Sequence, residues 1–162
     1  MAKNTHIVKN KSAGILLYRT TNNKLQVLLV HMGGPYWAYK DEGTWTIPKG
    51  EFTENEDPLR AALREFKEET GFDAPANCIA LEPVKQKSGK LIYAWAAEGN
   101  LDAEKIKSNT FEMEWPPGSS NKQQFPEIDK AEWFTVEQSK IKINPAQVSF
   151  VKQLLSILPN YQ

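Results

Sequence analysis

Residues 56–70 read EDPLRAALREFKEET, and no other segment restricts the fold of this chain as much. Leu59, Ala62, Leu63 and Phe66 fall at i, i+3, i+4 and i+7, the spacing of a helix that buries one stripe. Gly71 supplies the stop, since glycine adopts the left-handed conformation that ends helices. At about 100° per residue, Glu65, Glu68 and Glu69 fan across the side away from that stripe. Like charges three or four residues apart on a helix repel by roughly a few tenths of a kcal/mol per pair. Such a face is tolerable either as a solvated surface laced with Lys and Arg or around a cation. Glu65 and Glu69 stand one turn apart and can reach the same ion, with Glu68 on the adjoining edge. Magnesium takes oxygen ligands of this kind and keeps several waters.

The stripe faces a core that the rest of the chain supplies. SAGILLYR (12–19) and LQVLLVHM (25–32) flank the turn-forming TTNNK and predict a hairpin. GGPYWAYKDEG predicts a loop, and TWTIPKG a short extended piece ended by Pro48 and Gly50. CIALEPVKQ, KLIYAWAAE and SNTFEMEW predict three more strands, SSNKQQFPEID a polar loop and KAEWFTVEQ a last strand. Asn144 as N-cap and Pro145 at the first helical position then open a packing helix that carries Val148, Val151, Leu154, Leu155 and Leu158. This order fits an α/β layer fold, a mixed sheet covered by helices, within a single domain over residues 1–162.

Composition narrows the function classes. Twenty basic and twenty acidic side chains cancel in a chain of 162 residues, so no global field recruits nucleic acid or anionic membrane. Any phosphate binding must come from a local site. The single cysteine, Cys78, excludes an internal disulfide and reads as a small core residue, and with His6 and His31 it leaves too few soft ligands for ordinary zinc. The polar, basic start and its short apolar run at 13–18 do not form a signal-peptide core, and no stretch approaches the roughly 18 apolar residues of a membrane span. The expectation is a reducing, cytoplasmic setting.

The acidic helix belongs to a wider frame, GEFTENEDPLRAALREFKEETGF at 50–72. Gly50, Glu56, Arg64, Glu65, Glu68, Glu69 and Gly71, with apolar Phe66 and Phe72, match the Nudix box position by position, so the chain resembles the Nudix hydrolases. That resemblance implies an α/β/α sandwich and hydrolysis of a diphosphate linkage in a nucleoside diphosphate joined to another group, with Mg²⁺ or Mn²⁺. It implies that Glu65, Glu68 and Glu69 are metal ligands and catalytic carboxylates, with Glu65 or Glu68 taking the proton of water. Arg64 matches the arginine that positions them, Glu56 helps organise loop and helix, and the Lys49 carbonyl completes the metal shell. Gly50 has its own reason to be glycine, because a chain turning close to metal and phosphates benefits from lacking a Cβ. Some relatives borrow a later glutamate, for which Glu112, Glu114 and Glu127 are candidates. In FEMEW the alternation sets Phe111, Met113 and Trp115 on one face and Glu112 and Glu114 on the other, which is also simply a strand with one wet face.

Ahead of the box, HMGGPYWAYKDEGTWTIPKG carries Tyr36, Trp37, Tyr39 and Trp45, rings that either stack a nucleobase or pack over the sheet edge. Lys40 and Lys49 are available to phosphate oxygens. His31, in VHMGG, has neither a nucleophile elbow nor an obvious partner for serine hydrolysis. The lead-in WTIPKGEFTENE is similar to that of Nudix enzymes acting on dinucleoside polyphosphates. The expected substrate is a nucleoside or dinucleoside polyphosphate, with nucleotide sugars and ADP-ribose as alternatives and a non-catalytic nucleotide sensor as the other class. The partner is a small molecule, not nucleic acid or membrane.

Overall fold

A computed structural model describes residues 7–159; His6 lies outside them. The hub is a long strand, β1 (Ile7–Thr21), whose first half pairs antiparallel with β4 (Lys49–Thr53) and whose last residues pair antiparallel with β2 (Lys24–Met32). The turn between β1 and β2 places Asn22 and Asn23 at positive φ of 54° and 64°, the conformation that matches strand twist in a tight hairpin and that asparagine tolerates. Along its length β1 also runs parallel to β7 (Leu91–Glu98).

The sheet order is β10 (Ile128–Thr135), β2, β1, β7 and β5 (Cys78–Ala80), with β3 (Trp45–Thr46) on β2 and β6 (Val84–Lys85) on β7. Period-two alternation gives it two apolar faces. Ala13, Ile15, Leu17, Leu28 and Val30 meet Ala61, Ala62 and Phe66 of α1 (Pro58–Thr70). Leu16, Val27, Leu29, Ile92 and Ala96 meet Phe150, Val151 and Leu154 of α3 (Val148–Ile157). The result is the expected mixed sheet between helices. Cys78 is half-buried on the short edge strand, its thiol 3.4 Å from the Pro75 carbonyl, and packs against the first of these clusters.

Three departures from the sequence expectations stand out. Residues 122–126, expected as loop, form β9 (Lys122–Pro126), which pairs with β8 (Thr110–Glu114) in a separate two-stranded arm. Only Phe125 of β9 is even half-buried, so the strand carries no hydrophobic alternation to read. Residues expected to end the last strand continue into α2 (Val136–Lys142), capped by Thr135 and Gln138 in a reciprocal capping box. Asn144 does cap a helical turn and Pro145 does open it, but that turn is 3₁₀ over Pro145–Gln147 before α3 begins. Among the described residues no helix is long and apolar enough to cross a membrane.

Candidate active site

The acidic helix is fixed at both ends by local chemistry. Asp57 accepts the Arg60 N–H at 3.1 Å, Pro58 occupies the first turn, and Gly71 closes the helix at φ 82° with its N–H on the Lys67 carbonyl at 2.8 Å. Its orientation differs from the sequence expectation. The buried arc comprises Ala61, Ala62, Glu65, Phe66, Glu69 and Thr70, while Leu59 and Leu63 are only half-buried. Glu65 and Glu69 therefore do not lie on the far, wet side; each is 9% exposed, beneath the turn that joins β3 to β4.

That turn is built to meet them. A Cβ on Gly50 would collide with both carboxylate oxygens of Glu65, so only glycine lets the strand lie this close. The Lys49 N–H donates to Glu69 Oε1 at 3.2 Å. Arg64 joins the other members. Its Nε and Nη2 donate to the two oxygens of Glu56 at 2.7 and 3.0 Å, and its Nη1 donates to Glu65 at 2.7 Å and to Glu68 at 3.2 Å. The bidentate fork explains why this position suits arginine and not lysine.

Burial dominates the electrostatics of the cluster. It pushes the Glu69 carboxyl up to about 8, against the opposing charge of Lys49, with Glu65 and Glu127 raising it further. Glu65 is raised by burial and then by the charge of Glu68, and Glu127 is raised by burial and by Glu68. Burial also lowers Lys49. Glu56, by contrast, is held low by its hydrogen bonds from Arg64. Carboxylates whose charge is costly in the free protein are the groups a cation would relieve.

Of the three later glutamates, Glu112 and Glu114 are exposed, accepting hydrogen bonds from Gln124 and from the Ser120 N–H within their own arm. Glu127 sits beside the cluster, its backbone held by Gly33 N–H on its carbonyl at 2.9 Å and by its own N–H on the Asn109 carbonyl at 2.8 Å. Asn109 in turn donates to the Glu68 carbonyl at 2.9 Å, which ties the base of the arm to the end of α1. Among the described residues no three His, Cys, Asp or Glu side chains enclose an ion as they lie; Arg64 holds Glu65 and Glu68 to itself. The donor set nonetheless fits a hard divalent cation. It is all oxygen, it carries more negative charge than Arg64 and Lys49 balance, and Gly50 keeps backbone within its reach.

A cleft of about 440 Å³ opens onto Lys49, Glu69 and Glu127. Its walls are apolar: Met32, Trp37, Phe111 and Met113 line it, with Tyr36 and Pro35 at the loop side. Tyr36 meets Trp115 edge-on at 5.2 Å, and Gly34, at φ 96°, admits the Phe111 ring. Trp45, expected among the substrate-binding rings, is placed elsewhere. It is 2% exposed in the core, edge-on to Phe134 at 5.0 Å, with its Nε1–H on Asp41 at 2.8 Å. Burial of so large a ring in the sheet sandwich, with its one donor satisfied, makes it packing. Lys40 is not in the cleft wall; its ammonium lies 4.8 Å from the Trp37 ring centre, and Tyr39 is fully in solvent. His31 does have a partner. Its buried ring lies between Asp129 Oδ1 at 2.9 Å and the Lys40 carbonyl at 2.6 Å, and so links β2, the aromatic loop and β10. Sequence reading missed Met32, Phe111 and Met113 as cleft walls, although the alternation of FEMEW already set the last two on one face.

Comparison with known proteins agrees with this geometry. A family model described as NUDIX domain matches residues 8–154. The chain is 39% identical over 62 residues to a Caenorhabditis elegans protein named bis(5'-nucleosyl)-tetraphosphatase (asymmetrical), a match covering 38% of this chain and 41% of that protein. The match thus spans less than half the length of that curated relative. In structure the chain resembles a C. elegans Ap4A hydrolase binary complex, with TM-score 0.64 and 22% identity over 93% of this chain and 98% of that one. It also resembles the NUDIX domain of Shewanella oneidensis NrtR complexed with ADP ribose, with TM-score 0.63 and 17% identity over 91% and 87%. At such identities these structures speak for the fold.

Proposed function

The chain belongs to the NUDIX domain family, and from that premise we propose that it is a metal-dependent hydrolase that splits a diphosphate linkage in a nucleoside or dinucleoside polyphosphate. The observation that carries the reading is the meeting of two features at Lys49 and Glu69: the buried carboxylates against the Lys49–Gly50 turn, and the apolar aromatic cleft that ends there. The names of the relatives support the class of substrate, one a tetraphosphatase and one solved with ADP ribose.

Glu65, Glu68 and Glu69, with the Lys49 carbonyl and with Glu127 beside them, are the residues that would hold Mg²⁺ or Mn²⁺. A divalent ion neutralises phosphate oxygens and acidifies water, which lets an anionic diphosphate be attacked. Glu65 or Glu68 takes the proton of the attacking water as the water oxygen bonds to phosphorus and the bridging P–O bond breaks; both accept hydrogen bonds from the same Arg64 nitrogen. Arg64, braced by Glu56, keeps both carboxylates in place. The Lys49 ammonium faces the phosphates, Trp37 and Tyr36 take the base, and Gly71 fixes the end of the helix that presents the carboxylates. We read residues 1–162 as one domain acting on a small-molecule nucleotide, not on nucleic acid or membrane, in the cytoplasm, on the support of its balanced charge and single free thiol.

The deciding experiment incubates the protein and Mg²⁺ with nucleoside triphosphates, dinucleoside polyphosphates, nucleotide sugars and ADP-ribose, and separates the products by chromatography. Cleavage of the polyphosphates is expected to be fastest. Fastest turnover of nucleotide sugars or ADP-ribose would reassign the substrate, and tight binding of all classes without products would make the protein a sensor.

A further inference from the structure

We propose that Gln147, outside the box and on the opposite side of the sheet from α1, is a positioning residue for the catalytic turn. This rests on the hydrolase reading above. The step from Ile47 to Pro48 lies between two ladders of the sheet, β3 on β2 and β4 on β1. β3 ends at Thr46, Pro48 has no N–H to give, and the next ladder begins at Lys49. On one side the sheet holds this step, since the Pro48 carbonyl accepts the Ile15 N–H of β1 at 3.1 Å; on the other, the Ile47 N–H has no strand to meet and donates to Gln147 Oε1 at 3.1 Å, and the Lys49 N–H donates to Glu69.

Gln147 is 1% exposed, and both the oxygen and the nitrogen of its amide have partners on Thr46 or Ile47. Its Nε2–H donates to the Thr46 hydroxyl oxygen at 3.0 Å, and that hydroxyl stands within donating distance of both Gln147 Oε1, at 3.1 Å, and the Ile47 carbonyl, at 2.9 Å. Asn144, three residues earlier, donates its N–H to the Trp45 carbonyl at 2.7 Å. The segment ahead of α3 thus stands in for a missing neighbouring strand, and its last contact is two residues from Lys49. Catalytic groups tolerate little displacement, since a shift of about 1 Å costs on the order of 100-fold in rate. Loosening Ile47 would move the Lys49 N–H off Glu69 and Gly50 off Glu65, which degrades the carboxylate cluster at the floor of the cleft while its aromatic walls, Trp37 and Phe111, stand on other segments.

The test uses the full chain with Gln147→Met, which keeps volume and removes both polar atoms, and Gln147→Glu, which keeps the acceptor for Ile47. Measurements are made at a temperature where circular dichroism shows each variant folded. For Gln147→Met we expect kcat to fall at least tenfold with KM within threefold, and Mn²⁺ affinity, titrated without substrate, to weaken at least threefold. Gln147→Glu should recover most of kcat. A lowered melting temperature with kcat and Mn²⁺ affinity within twofold of the parent would overturn the proposal and leave Gln147 as packing, as would equal loss in both variants. Should Gln147→Met not fold, Gln147→Asn, one methylene short of Ile47, is held to the same two outcomes. If the parent itself hydrolyses none of the substrates, the hydrolase reading falls, and the Mn²⁺ titration alone decides the role of Gln147.

Discussion

At Glu69 a carboxylate gives up most of its water for one backbone N–H and the charge of Lys49, in the company of other acids. Such a residue is costly to the free protein and useful only with a cation, so Glu69→Gln should leave the fold intact, with a melting temperature in chelator equal to or above the parent. Turnover should drop by two orders of magnitude or more. A normal kcat in that variant removes Glu69 from the metal shell. Trp37 presents the other kind of residue, a half-buried ring on the cleft wall. Base stacking on an aromatic is worth about 1–3 kcal/mol, so Trp37→Ala should raise KM at least about fivefold, with kcat little changed. An unaltered KM beside a lowered melting temperature would assign the ring to packing, as burial already does for Trp45.

Elements differ in how far the chain announces them. The β1–β2 hairpin, α1 and the strand β7 follow from periodicity and turn residues, because each pairs a clear apolar face with a clear stop. The arm of β8 and β9 does not, because a two-stranded ribbon standing in solvent has no buried face to write into Lys122–Pro126. α2 is short and polar, and its signal lies in the cap alone, Thr135 with Gln138 three residues on. Thr135→Ala should therefore cost about 1 kcal/mol, a shift of roughly 2–4 °C for a chain of this size, with KM and kcat unchanged. A calorimetric scan beside a kinetic assay checks both halves, and no loss of stability would mean the capping box does not hold α2.

For the molecule as a whole, the burial of acids makes stability depend on pH and on metal together. Glu65 and Glu69 have folded values above their ordinary 4.5, about 8 for Glu69. The folded chain binds these protons more tightly than the unfolded one, so the contribution of Glu69 is fully present below about 4.5 and is lost as pH rises through about 8, and that of Glu65 falls in the same direction. Glu56 runs the other way, since Arg64 holds it low; its contribution is present above 4.5 and lost in acid. In chelator the melting temperature should fall from pH 5 to pH 8, and Mg²⁺ should restore it most at the upper end. A flat profile in chelator would show that the carboxylates are solvated. The layered α/β class, the helix that carries the box and the order of the carboxylates along it were all legible in the residues alone, because period, caps and residue type are local properties. Tertiary contacts alone settle that Glu65 and Glu69 are buried and not on a wet face, that Glu127 and not Glu112 or Glu114 stands beside them, that Trp45 is core, and that Gln147 reaches the backbone of Ile47. Those facts depend on how one element lies over another, across 20 residues of chain for Lys49 and Glu69 and 100 for Ile47 and Gln147, and no spacing within a segment encodes that placement.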